Sequence, residues 1–303
     1  MLVTGASGVA GTALVEVLRT AGYDVSGISS AQGDLRDLST ALAVFEQVQP
    51  EAVIHLAGRV HGIAGNTGAQ GDMFLDNLQI NMNVVEAARR TGARKIVAMG
   101  TVAAYPGDVA LPMRESDIWS GRPHGAEYGY AQAKRAMLAQ LEAYQEQYGL
   151  DFAMALSTNL FGPNDRFDEA RGHVLPSLIS KFHRAVTTGE SVVVWGTGAP
   201  TRDFLYSFDA ARGLQVLLER GSGVYNLASG MIVSIKNVAD QLAEVSGYSG
   251  EILWDHGKPN GQMRRDYDMS RISELGWGPA VGFREALEST YAWYAGHVQS
   301  ARR

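Results

Sequence analysis

The chain has 303 residues, 46% of them hydrophobic, enough for one large α/β domain or two closely packed ones. Its formal net charge of −6 comes from 26 Lys+Arg against 32 Asp+Glu without a run of like charges, which argues against a nucleic-acid-binding or polybasic membrane-binding surface. There is no cysteine, so disulfides, thiolate metal sites and a catalytic thiol are excluded, and no apolar run approaches the ~20 residues of a membrane span, so a cytoplasmic location is expected.

In chain order, a strand at 1–3 leads into a helix over 12–20, a strand at 23–28, a helix over 38–47, a strand at 52–56, a helix over 73–90 and a strand at 95–99. A polar loop bearing Gly and Pro runs from 102 to about 127, followed by a helix carrying Tyr130 and Lys134 and a strand at 152–156. Beyond it the pattern is more mixed: helices near 174–184, 207–218, 235–246 and 283–295, with strands at 192–195 and 223–227. Such alternation predicts an α/β protein with a doubly wound parallel sheet, Rossmann-like, and a smaller C-terminal α/β lobe. The expected division is a dinucleotide-binding part over 1–160 and a substrate lobe over 161–303, with some exchange of chain between them. The seven histidines show no ligand spacing, so no metal site is expected.

Two motifs carry chemistry. Strand one runs through Gly5-Ala6-Ser7-Gly8-Val9-Ala10-Gly11 directly into a helix, where glycines permit a tight turn and close approach of backbone N–H groups to a pyrophosphate. Gly5, Ser7, Gly8, Val9 and Gly11 are therefore candidate cofactor contacts, and Leu56-Ala57-Gly58, at the end of a neighbouring strand, fits the groove wall. Tyr130-Ala131-Gln132-Ala133-Lys134 puts a phenol and an ammonium on one helical face. A tyrosine that exchanges protons near neutral pH must lose about three units from its free pKa of ~10, roughly 4 kcal/mol, and a neighbouring cation supplies part of that.

The glycine spacing and the Tyr-x-x-x-Lys dyad together resemble the extended short-chain dehydrogenase/reductases. The resemblance implies a third hydroxyl after the strand preceding the tyrosine helix, and Thr101 stands there. It also implies that cofactor choice is made after strand two, at Ile28-Ser29-Ser30-Ala31-Gln32-Gly33, which offers neither an acid to repel a 2′-phosphate nor an arginine. With Ser29 and Ser30 as donors and Arg36 within reach, NADP (as NADPH) is expected, NAD being the alternative. Asp34-Leu35 falls where related enzymes contact adenine; a helix-capping role for Asp34 is the competing reading.

A narrower resemblance, to the GDP-L-fucose synthase family, runs through Val53-Ile54-His55-Leu56-Ala57-Gly58, Asn159-Leu160-Phe161-Gly162-Pro163-Asn164-Asp165, His173-Val174-Leu175-Pro176, Trp195-Gly196-Thr197-Gly198-Ala199-Pro200-Thr201-Arg202-Asp203-Phe204 and Lys258-Pro259-Asn260-Gly261. It implies a GDP-linked 4-keto sugar substrate, a homodimer, Tyr130 as proton donor to the oxygen at carbon 4, Lys134 as its pKa modulator and ribose ligand, and Thr101 as carbonyl ligand. Asn159 and Leu160 would cradle the nicotinamide, and Lys181 and Arg202 would meet the diphosphate and sugar, where buried phosphate charge requires pairing. Arg265 would close over the nucleotide and Trp195 pack on it, a core position for Trp195 and a surface salt bridge for Lys181 being the alternatives. His173 matches the family's epimerase histidine, or is structural.

The family's partner for that histidine is a cysteine two residues beyond the catalytic hydroxyl. Here the position is Ala103, and a methyl cannot move a proton. The expected activity is therefore reduction of a GDP-4-keto-6-deoxy hexose or heptose without full 3,5-epimerisation. The alternatives are a nucleotide-sugar 4-epimerase with bound NAD, which the same Tyr, Lys and Thr serve, and a bifunctional epimerase/reductase. A 4,6-dehydratase would need an Asp-Glu pair where Val102-Ala103 stand, and a non-catalytic dinucleotide sensor would not need the intact Tyr/Lys/Thr set.

Overall fold

Val53, Ile54, Ile96, Val97, Phe152 and Ala153 are buried to the last atom or nearly so, as required of strands covered by helices on both faces. They belong to β3 (Ala52–His55), β4 (Lys95–Met99) and β5 (Asp151–Ser157), which form a six-stranded sheet with β1 (Leu2–Thr4), β2 (Ser26–Ile28) and β9 (Gly223–Leu227). The order is β2-β1-β3-β4-β5-β9, every pairing parallel. The computed structural model describes residues 1–60, 68–169, 172–258 and 262–302.

One face of the sheet carries α2 (Leu38–Val48), α3 (Gln70–Arg90) and α4 (Tyr128–Tyr148), whose Phe45, Val84, Met137 and Leu141 fill a core with Val53 and Ile96. The other carries α1 (Val9–Thr20) and α6 (Ser207–Arg220), with Leu14, Leu18, Leu214 and Leu217 packed against Val3 and Val97. Local chemistry sets several ends: Asp37 caps α2 by accepting from the Ser39 and Thr40 N–H groups, and α4 stops where Gly149 turns left-handed.

A third core lies outside this sheet. It is built by α5 (Val174–Thr188), α7 (Ile235–Ser246) and α9 (Phe283–His297) around Phe161, Phe182, Phe204 and Leu287. A small sheet of β10 (Ile232–Ser234), β8 (Thr201–Tyr206) and β6 (Asn159–Phe161) and a two-stranded one of β11 (Ile252–Asp255) and β7 (Val192–Trp195) complete it, with a short α8 (Ser270–Glu274) beside β9. Strands β6, β8, β10 and β11 and helix α8 are not anticipated by the sequence pattern. Helix α6 and strand β9, late in the chain, return to the first sheet. Among the described residues no helix is long and apolar enough to cross a membrane.

Candidate active site

The strand order reverses at β1, with β2 on one side and β3 on the other, so a crevice opens between the ends of β1 and β3. Gly5 takes φ +74°, and a Cβ on it would lie 2.7 Å from the Ala57 amide nitrogen. On Gly11 a Cβ would lie 2.2 Å from the Gly5 carbonyl oxygen, so helix and loop touch only because both residues are glycine. Gly8 caps α1 with extended backbone, and Val9 begins the helix, whose free N–H groups favour an anion. Ser7 is exposed at the lip of the loop. Backbone approach and helix polarity here fit a dinucleotide pyrophosphate.

At the far end of that groove Ser30 is exposed, and the Ser29 hydroxyl donates to Gln32 Oε1 at 2.7 Å. Arg36 does not stand free: it pairs with Asp34 at 2.6 Å and with Asp76 at 3.1 Å, and Arg59 pairs with Asp76 at 2.5 Å. Asp37, not Asp34, caps the helix, and Leu35 is buried in the core.

Thr101 follows β4 and accepts the Ala103 N–H at 3.1 Å, opening a short 3-10 turn, Val102–Ala104. Helix α4 lies against that turn, with Arg135 Nε donating to the Ala104 carbonyl at 2.8 Å. Tyr130 occupies its first turn and Lys134 the second, the ammonium 5.9 Å from the centre of the Tyr130 ring. Lys134 is buried, and among the described residues no carboxylate pairs with it. A Cβ on Gly58 would lie 3.9 Å from its Nζ, which places the ammonium at the groove wall.

The electrostatics of the dyad differ from the expectation. Burial drives the Lys134 ammonium down to about 8, while burial and the Glu127 carboxylate push the Tyr130 phenol above its ordinary value. As the chain stands, the phenol holds its proton.

The substrate-side candidates fall into two groups. Arg202, on β8, donates from Nη1 to the Thr201 carbonyl at 2.8 Å and the Gln262 carbonyl at 2.6 Å; Arg265 donates to the Val102 carbonyl at 3.0 Å, directly behind Thr101. Burial and the Arg265 charge both press the Arg202 guanidinium down. The two cations thus lie close together, both contacting Gln262, and among the described residues neither forms a salt bridge with a carboxylate and the buried Arg265 Nη2 has no hydrogen-bond partner. The second group lies on β7: Trp195 is 45% exposed, which excludes a core role, and the ammonium groups of Lys181 and Lys258 lie 5.9 and 5.4 Å from its ring centre. Lys181 donates to the Val193 carbonyl at 2.9 Å, and among the described residues it forms no salt bridge. Asn159 and Leu160 lie on β6, Asn159 donating to the Asp203 carbonyl at 3.0 Å. His173 is the exposed N-cap of α5, on a separate element from the dyad. Pro259, Asn260 and Gly261 lie outside the described residues.

Several supporting residues escape sequence reasoning. The Ala57 N–H donates to Thr4 Oγ1 (3.3 Å), whose hydroxyl reaches His55 Nδ1 (2.8 Å); His55 Nε2 meets Asn81 Oδ1 (3.0 Å), and Asn81 Nδ2 donates to the Ala133 carbonyl (3.4 Å). This chain ties groove wall to tyrosine helix, one residue before Lys134. Burial, with the Lys134 charge, drives His55 down to about 3, so it is neutral, carrying its proton on Nε2. Gln70 pins the entry to α4 by accepting the Gly129 N–H at 2.7 Å, and a Cβ on Gly129 would lie 2.1 Å from the Gln70 carbonyl oxygen. Pairing across 26 to 59 residues leaves no local signature, though a histidine inside an apolar strand and a glycine between two tyrosines are visible marks.

Sheet order, glycine loop and the Thr/Tyr/Lys set define an NAD(P)-binding oxidoreductase of the extended short-chain dehydrogenase/reductase superfamily. The NAD dependent epimerase/dehydratase family matches residues 1–228. The chain belongs to that family and, within it, to a GDP-L-fucose synthase-like group, from which it departs in lacking the catalytic cysteine. It is 38% identical over 308 residues to a probable GDP-L-fucose synthase 1 of Oryza sativa subsp. japonica, covering 100% of this chain and 94% of the relative. Among solved structures, a GDP-L-fucose synthetase from Naegleria fowleri bound to NADP superposes with TM-score 0.91 at 30% identity, covering 100% of this chain and 94% of that one. A GDP-mannoheptose C4 reductase from Campylobacter jejuni with NADP bound gives TM-score 0.87 at 28% identity, covering 97% of each.

Proposed function

We propose that the protein is an NADPH-dependent 4-ketoreductase of a GDP-4-keto-6-deoxy hexose or heptose that leaves carbons 3 and 5 largely unepimerised. The observation that carries this reading is the turn after β4: Thr101 keeps its place before the Tyr130 helix, while the position two residues on is a buried methyl, Ala103. Without a thiol there, half of an acid/base pair is missing, and His173 alone serves binding or a single proton transfer.

The bound cofactor supplies the hydride. Tyr130 gives its proton to the oxygen at carbon 4: burial keeps the phenol protonated at the start but opposes its release, and the more basic alkoxide forming at carbon 4 draws the proton off. Thr101 orients the carbonyl, and Lys134, buried without a carboxylate, is the ligand for the nicotinamide ribose. Asn159 and Leu160 line the nicotinamide end. Arg202 and Arg265 pair with the diphosphate, which explains why two cations lie together in low dielectric. Trp195 with Lys181 and Lys258 offers a face for the guanine. Residues 1–160 hold the cofactor and 161–303 the sugar nucleotide, with α6 and β9 exchanged into the first sheet, and two copies associate as a dimer.

Wild-type protein is expected to oxidise NADPH when given a GDP-4-keto-6-deoxy sugar. Tyr130→Phe should lower that rate about 10³-fold with NADPH affinity little changed. Near-normal turnover in the variant contradicts the assignment.

A further inference from the structure

Residues 1–12 carry no basic side chain, so Gly5–Gly11 would meet the two charges of a dinucleotide pyrophosphate with backbone N–H groups alone. A cation nevertheless reaches this loop from far along the chain. After α9 the chain folds back so that Arg302 bridges Arg166 in parallel register, its carbonyl accepting the Phe167 N–H at 2.8 Å. Phe167 is itself fixed in the third core, stacked on Trp293 at 5.9 Å and against Tyr294 at 4.4 Å. The Arg302 backbone is therefore held, while its exposed side chain donates from Nη1 to the Ser7 carbonyl at 3.4 Å. Beneath it Asp165 is buried, its Oδ1 accepting the Arg166 N–H at 2.7 Å and its Oδ2 without a hydrogen-bond partner among the described residues. The Arg302 charge acts on that carboxylate, though burial still lifts it to about 7.

We infer that Arg302 is the cationic clamp for the cofactor pyrophosphate, reaching across the lip of the glycine loop from the lobe that carries the sugar nucleotide. A guanidinium has five donors, and the Ser7 carbonyl takes one, so the remainder are available to phosphate oxygens. The 2′-phosphate is not its target, because that end of the cofactor lies beyond β2, at Ser29 to Arg36, whereas Ser7 belongs to the loop after β1. The arrangement also joins the third core to the glycine loop, because the strand bridge that holds Arg302 is anchored through Phe167 and α9. The inference rests on the dinucleotide reading of the loop and goes beyond it by naming a ligand no glycine motif contains.

The test is a fluorescence titration of NADPH into wild type, Arg302→Ala and Arg302→Lys, with adenosine 2′-monophosphate, which lacks the pyrophosphate, as a competitive probe, and with melting curves run alongside. Arg302→Ala should weaken NADPH about tenfold, equivalent to about 1.4 kcal/mol, with Arg302→Lys intermediate, adenosine 2′-monophosphate unchanged and melting unaltered. Equal NADPH affinity in wild type and Arg302→Ala overturns the clamp and leaves the cofactor reading standing. Parallel weakening of both ligands also overturns it, since that would report a disturbed loop. Failure of the wild type to bind NADPH or NADH overturns the cofactor reading and the clamp with it.

Discussion

Tyr130, Lys134 and Thr101 stand out as a candidate set in the sequence because of their spacing and order, but their protonation is not legible there, because it depends on burial. Spacing predicts a phenol acidified by Lys134; in the structure burial opposes both charges, lowering the ammonium to about 8 and raising the phenol. His55 is the same lesson in a stronger form. It reads as one residue of an apolar strand, yet it is fully buried between Thr4 and Asn81 and driven down to about 3. An unfolded histidine takes its proton below about 6.5, so between pH 6.5 and 3 the unfolded chain binds the extra proton and stability falls as pH falls. The contribution is up to about 1.4 kcal/mol per pH unit. His55→Gln should be less stable than wild type at pH 7, yet lose stability less steeply on acidification, as read by urea unfolding from pH 7 to 4. Parallel slopes for the two proteins would refute the neutral buried imidazole.

Among the elements, those with strong periodicity are recovered nearly to the residue: β4, β7, β9 and α7 match their expected ranges. Strand β8 is missed because it begins Thr201-Arg202-Asp203, polar residues that alternate with nothing and resemble a loop. Its strand character comes from pairing with β6 and β10, and from Asp203, which is buried and accepts from Thr158 Oγ1 at 2.8 Å, Ser229 N–H at 2.9 Å and Gly230 N–H at 2.7 Å. Burial raises its pKa and these donors oppose the rise. Asp203→Asn turns an acceptor toward a backbone N–H as a donor, which should cost about 2–3 kcal/mol of stability. It should also weaken substrate binding through the neighbouring Arg202 and Asn159. Unfolding curves that superimpose on wild type would show that β8 is held by strand pairing alone.

At the scale of the whole molecule, the doubly wound sheet was legible because alternating strands and helices admit few other arrangements, and the glycine loop marks the candidate cofactor end of the sheet. The proposed substrate side could be suggested only through resemblance, since Arg202 and Arg265 are 63 positions apart by number and meet only because the stretch from Gln262 folds back onto β8. The reading of a reductase without epimerisation depends on both lobes: Thr101 and Ala103 from the first, His173 from the second. It is tested most directly by running the reaction in deuterium oxide with NADPH and a GDP-4-keto-6-deoxy sugar and locating the label in the product. The account predicts a reduced carbon 4 and no label at carbons 3 and 5 above the uncatalysed exchange. Enzyme-dependent deuterium at both carbons, with inverted configuration, would contradict it.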